Sequence, residues 1–299
     1  MNLRLEMVQV ARLAPKVLQN STQLVVDFYQ SQRLPEGGFC DRAGNADLYY
    51  SVFGIEGSQA LQQPLDEAWL LLYVQSFGDA SSLDLVHAAC LSRCWAAISP
   101  SNRRQSPCDA IYDKILAHRT PDGGYDGLGM GQGNLYSCFM AVGAFQDLGF
   151  PIPDVEQLIE FIISMRDPKG GYFNNRDLPI SLVPQTAAAV NLLHRLGYQI
   201  DEDKIVEWLL SCLYPEGGFR AGSIVAMPDL LSTATALHAL ASLKVDLGGA
   251  ADLCLDFVDS LWTNRGGFYG EWEDTHVDVE YTYYALLALG HLSLLTKES

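Results

Sequence analysis

A pair of glycines followed by an aromatic ring recurs along this chain and limits its fold more tightly than any other feature. The turns are Pro35-Glu36-Gly37-Gly38-Phe39, Pro121-Asp122-Gly123-Gly124-Tyr125, Lys169-Gly170-Gly171-Tyr172, Pro215-Glu216-Gly217-Gly218-Phe219 and Arg265-Gly266-Gly267-Phe268. Their second glycines are 86, 47, 47 and 49 residues apart, and self-similarity at such a period marks a stacked repeat. Because 86 is nearly two periods, a degenerate unit is expected in between, where Ser76-Phe77-Gly78-Asp79 lies. The chain therefore divides into six units.

Before each turn runs a segment with helical apolar spacing, such as Val155, Leu158, Ile159, Ile162 and Ile163, or Ile205, Trp208, Leu209 and Cys212. After each comes a second helical segment, rich in small residues in the later units, as in Thr186-Ala187-Ala188-Ala189 and Thr233-Ala234-Thr235-Ala236. Each unit is thus a helical hairpin around a glycine-rich turn. Leading segments mix charge with apolar stripes, as from Asp154 to Met165 and from Glu202 to Leu213, which suits an outer layer half in water. Following segments carry few charges and belong inside. Six hairpins either stack openly or close into a ring. The last inner segment, Asp278 to Leu292, is as apolar as the internal ones, which favours closure. A single all-α domain over residues 1–299 is expected, with residues 1–20 as an N-terminal extension containing one helix from Leu3 to Leu18.

Composition narrows the function classes. The chain has 299 residues, 48% of them hydrophobic, with 12 Phe, 14 Tyr and 5 Trp, enough for a large core. Nineteen Lys and Arg against 36 Asp and Glu give a net charge of -17, which opposes nucleic acid and anionic lipid as partners. Cys90, Cys94, Cys138 and Cys254 sit among apolar residues, as reduced buried thiols do, and a cytoplasmic location is expected. No run is apolar enough for a membrane span or a signal peptide core.

Glycine-glycine-aromatic turns at this period, each followed by a buried helix, resemble the prenyltransferase and squalene cyclase repeat. The resemblance covers roughly residues 20 to 295. It implies an α/α toroid of inner and outer helix rings around a deep cavity, with an isoprenoid or other apolar small molecule as ligand. A partner subunit is compatible with it, because relatives include the β subunits of protein prenyltransferases. Other relatives are the class II terpene cyclases, and a non-catalytic scaffold or interaction protein that keeps the fold is a third reading.

Alignment on the glycines places Asp47, Asp84, Asn134, Asp229 and Asp278 at the starts of five inner helices, while the fourth begins Val183-Pro184-Gln185. Asp and Asn are favoured N-caps there, because their side chains accept first-turn amide hydrogens. The resemblance adds chemistry. Where prenyltransferases hold zinc, Asp229 keeps one ligand, but Leu231 replaces the Cys and Tyr281 the His. A single ligand cannot hold zinc, so no metal or other cofactor is expected. For the cyclase relatives, Asp278-Val279-Glu280-Tyr281-Thr282 is an imperfect Asp-x-Asp-Asp-Thr motif, which makes Glu280 a candidate acid, with Asp278 and Asp229 as further candidates. Burial beside another carboxylate would raise its proton affinity. Tyr49, Tyr50, Tyr136, Tyr281 and Tyr284, with Phe53 and Tyr283, are candidate cavity-lining rings. Two weaker signals remain. His87, Cys90 and Cys94 share a helix face, and Gly127-Leu128-Gly129-Met130-Gly131-Gln132-Gly133 forms a glycine-rich loop read as a turn.

Overall fold

The structure, a computed structural model, describes residues 2–103 and 105–295. Two short helices come first, α1 (Leu3–Ala11) and α2 (Pro15–Leu18). Six hairpins follow. Their outer helices are α3 (Thr22–Ser31), α5 (Glu67–Gln75), α7 (Gln105–Leu116), α9 (Val155–Ser164), α11 (Glu202–Ser211) and α13 (Ala250–Ser260). The inner helices are α4 (Leu48–Ala60), α6 (Leu85–Ala96), α8 (Leu135–Leu148), α10 (Val183–Arg195), α12 (Leu230–Ser242) and α14 (Val279–Leu295). Each inner helix packs on the next, and α14 packs back on α4. The ring is closed, and the fold is an α/α toroid. Among the described residues, strand structure beyond isolated bridges is confined to two small hairpins in the turns, Phe39–Cys40 with Ala46–Asp47 and Phe219–Arg220 with Pro228–Asp229.

The repeat motif has a physical reason. Gly217 has φ +99°, and a Cβ there would sit 1.9 Å from the carbonyl oxygen of Leu253 on α13. Only glycine permits both that backbone and that approach. Gly266 makes the equivalent contact in the last hairpin, where a Cβ would lie 2.0 Å from the Leu24 oxygen. Leu24 belongs to α3, the first outer helix, so this turn fastens the end of the ring to its beginning. The ring that follows each doublet is buried, and at Phe39, Tyr172, Phe219 and Phe268 its amide donates to a Ser or Thr of the inner helix. Phe39 donates to Ser51 Oγ at 2.8 Å, Phe219 to Thr233 Oγ1 at 2.9 Å and Phe268 to Thr282 Oγ1 at 3.2 Å. The degenerate turn lacks this constraint, since a Cβ at Gly78 would meet nothing within 4 Å.

The N-terminal extension departs from the expected single helix. Pro15 starts α2 at its first helical position, because proline has no amide hydrogen to continue α1. Instead of lying beside the ring, α1 crosses the end where the inner helices finish, packing on α14, α4 and α8. It is tied down by polar contacts. Asn2 Nδ2 donates to Asp147 at 3.0 Å, the Leu3 amide to Gln146 at 3.0 Å and Arg4 to Gln59 at 3.1 Å. Arg195 pairs with Glu6. Asp147 also faces Arg93, 3.4 Å away, and Arg93 lies 3.7 Å from Glu56. This buried charge cluster locks α1 against α4, α6 and α8.

Candidate functional site

The inner helices run in one direction, so their N-termini share the mouth opposite α1. All five expected caps are made. Asp47 accepts from the amide of Tyr50, Asp84 from His87, Asn134 from Ser137, Asp229 from Ser232 and Asp278 from Tyr281, at 2.7 to 3.0 Å. Three of the carboxylates also have an imidazole or guanidinium beside them. His87 Nδ1 lies 2.9 Å from Asp84, and its Nε2 3.7 Å from Asp47. Arg42, on the turn of the first hairpin, pairs with Asp278 at 2.7 Å and with Asp274 at 2.8 Å. Its guanidinium stands 5.5 Å from the centre of the Tyr281 ring. Because Arg42 and Asp278 are 236 residues apart, no local pattern could have announced the pair.

Below the mouth lies an apolar chamber of about 350 Å³. Tyr49, Tyr136 and Tyr284 line it, and Ala187 and Ala188 keep the α10 wall low. Above it, a polar cleft of about 520 Å³ includes Asp229, Tyr281 and Arg42, and shares Pro184, Ala221 and Leu231 with the chamber. The candidate rings thus occupy different places. Tyr50 lines neither space and packs edge-on against Tyr49, 5.8 Å between centroids. Tyr283 is buried in the core, and Phe53 packs between Tyr49 and Tyr284. Among the chamber residues that the sequence did not announce are Met7 from α1, Asn191 and His238. Nothing in the repeat pattern marks them, since α1 lies outside it and the other two read as helix-face polar residues.

Glu280 accepts a hydrogen bond from the Tyr49 hydroxyl at 2.6 Å. Burial pushes its pKa up to about 7, the Tyr49 bond and Arg42 pull it down, and Asp278 pushes it up. Tyr49 is the group through which this carboxyl faces the chamber. Burial likewise raises Asp278, against the Tyr281 amide and Arg42, and Asp229, against the hydroxyl and amide of Ser232. Those two are committed to capping and pairing, whereas the described hydrogen bond of Glu280 is the one from Tyr49.

The prenyltransferase α/α toroid domain model matches residues 16–91, 82–180 and 180–298. The chain belongs to this family. Among solved structures, the type II terpene cyclase MstE from Scytonema with bound geranylgeranyl dihydroxybenzoate aligns with a TM-score of 0.64 at 13% identity, covering 94% of this chain and 98% of that one. Candida albicans protein geranylgeranyltransferase-I complexed with GGPP gives 0.60 at 17% identity, covering 90% of each chain. An α-1,6-mannanase of Salegentibacter in complex with mannotetrose gives 0.61 at 14%, covering 97% and 99%. No curated protein sequence matches significantly. Neighbours with such different ligands establish the toroid and leave its chemistry to the site.

As a prenyltransferase-family toroid, the chain can be tested for zinc. Asp229, Leu231 and Tyr281 do converge on one cleft, but Leu231 has no donor atom and both Asp229 oxygens accept from Ser232. These residues do not fit the metal. The weaker signals resolve locally. Asp126 accepts from the amides of Leu128 at 2.8 Å and Gly131 at 2.6 Å, so a carboxylate already occupies the glycine-rich loop where an anion would sit. His87 turns to Asp84 and Asp47, and the thiols of Cys90 and Cys94 are buried. Among the described residues no helix is long and apolar enough to cross a membrane.

Proposed function

We propose that this toroid binds an isoprenoid or a similar apolar chain in its central chamber, without zinc chemistry. The supporting observation is the chamber itself: about 350 Å³ of mostly apolar space, walled by aromatic and small side chains and reached from the mouth. That volume lies within the ~300–1,000 Å³ of small-molecule sites. Calorimetry with geranylgeraniol tests it. Binding is expected in the native chain and is lost in Ala188→Trp, which fills the chamber. Absence of binding, or binding that survives Ala188→Trp, would refute the reading.

One observation favours a second reading, a cyclase-like enzyme with Glu280 as acid. A carboxyl whose pKa is about 7 still holds a proton near neutrality and can deliver it. Proton transfer to a chain alkene, with the Tyr49 hydroxyl giving up its proton as it takes that of Glu280, forms a C–H bond from the π pair and leaves a tertiary cation. A second alkene closes the ring, and loss of a proton to solvent completes an isomerisation that needs no oxidant. The rings of Tyr49, Tyr136 and Tyr284 line the chamber, and aromatic π systems stabilise such a cation. Turnover in D₂O would place deuterium in a cyclised product and cease in Glu280→Gln. Equal turnover in that variant would exclude the acid role.

A further inference from the structure

A ring of inner helices is open at both ends, so the chamber needs a floor, and an element outside the repeats supplies it. On α10 the lining runs from Pro184 down to Asn191 and on α12 from Leu231 down to His238. Each stretch spans about 10 Å at the 1.5 Å helical rise. The same lining includes Met7 of α1, the helix that crosses the end where the inner helices finish. That helix is firmly mounted, by Asn2 on Asp147, Arg4 on Gln59 and Glu6 on Arg195, the last residue of α10. A second space of about 310 Å³ lies on the other side, with Glu6 of α1 and Asn191 and Arg195 of α10 among its walls. Asn191 lines both spaces, while the neighbours Met7 and Glu6 line one each. Met7 and Asn191 thus stand between the chamber and this rear space.

We infer that Met7 is the stop that sets how long an apolar chain the chamber accepts, with Asn191 beside it in the partition. This assignment rests on the chamber-binding reading above and narrows it, from apolar chains in general to those whose tail ends at α1. An apolar chain gains affinity from each methylene that leaves water, so binding strengthens with length until the tail meets the stop. Carbons beyond that length stay in the polar cleft at the mouth, among Asp229, Glu271 and Glu273, and add little. A thioether suits the position, since it fills the space between α1 and the ring without a strong polar group to satisfy. Shortening it to alanine opens the chamber toward the rear space, and a bulkier ring there makes the chamber shallower.

The test is calorimetry on the full chain with geraniol, farnesol, geranylgeraniol and geranylfarnesol, which differ by one isoprene unit at each step. In the native chain, affinity is expected to rise along the series and level off before geranylfarnesol. Met7→Ala should move that limit outward by at least one isoprene unit, with about a tenfold gain for the first alcohol beyond it. Met7→Trp should move it inward, with about a tenfold loss at the native limit and geraniol binding held within about twofold. Met7→Leu, close in volume, should leave the limit in place. Circular dichroism checks that each variant keeps its helix content. Where a substitution at Met7 unfolds the chain, Asn191→Ala carries the test from the ring side of the partition, and it too should move the limit outward. A limit that stays in place in these variants, or an affinity that climbs through the whole series, would overturn the stop and leave chamber binding standing. If no alcohol binds the native chain, chamber binding itself is refuted and the stop goes with it.

Discussion

Glu280 combines two properties: a position two residues past the N-cap Asp278, and a buried setting. The consequence for stability has a definite sign. Burial raises its pKa from the ordinary 4.5 to about 7, so between those values the native state keeps a proton that the unfolded chain has lost. Stability at this residue therefore falls as pH rises through that interval. A shift of this size amounts to about 2 kcal/mol once partial exposure is allowed for. Urea titrations at several pH values should show Glu280→Gln losing less stability than the native chain between acid and neutral conditions. Parallel curves would mean that burial does not raise the pKa of Glu280 above its unfolded value. The acidic residues at the helix starts were legible because capping is a local rule. Arg42 was not, because its partners lie at the far end of the chain, and neither was the Tyr49 bond to Glu280, which spans the closure between α4 and α14.

At the scale of elements, the glycine doublets separate positions that must be glycine from those that merely are. Gly217→Ala drives a Cβ into the Leu253 carbonyl and holds alanine at φ +99°, so a loss of about 3 kcal/mol or more is expected. Gly129 also has positive φ, but a Cβ there meets nothing within 4 Å, and Gly129→Ala should cost only about 1 kcal/mol. Equal losses in thermal melts would show that packing against the next outer helix is not what the doublet serves. A second test concerns α1. Asp147 holds both Arg4 and Arg93, so Asp147→Ala leaves two buried cations short of a partner and should cost about 3 to 5 kcal/mol. The hairpins were readable because period and small-residue content are local patterns. The placement of α1 was not, since its charges could equally have faced water, and its seat depends on Gly290, where a Cβ would lie 2.1 Å from the Val10 carbonyl.

The whole molecule is a closed ring plugged at one end by α1 and acidic at the other, and that asymmetry decides which head groups it admits. Six inner-helix N-termini face the mouth, and their partial positive charge alone would attract a diphosphate. Five of those ends are already capped by Asp or Asn side chains. Among the described residues, Arg42 is the one basic residue lining the polar cleft, and Asp274 and Asp278 hold it at 2.8 and 2.7 Å. Asp229, Glu271 and Glu273 line the same cleft, so carboxylates outnumber the cation that a diphosphate would need, in a chain of net charge -17. Geranylgeranyl diphosphate should therefore bind at least about tenfold more weakly than geranylgeraniol at low salt. Added salt should narrow the gap by screening the repulsion. Asp274→Asn should strengthen diphosphate binding by freeing part of Arg42, while leaving the alcohol unchanged. Tight diphosphate binding that weakens steeply with salt would reverse this assignment and make Arg42 the anchor of an anion site.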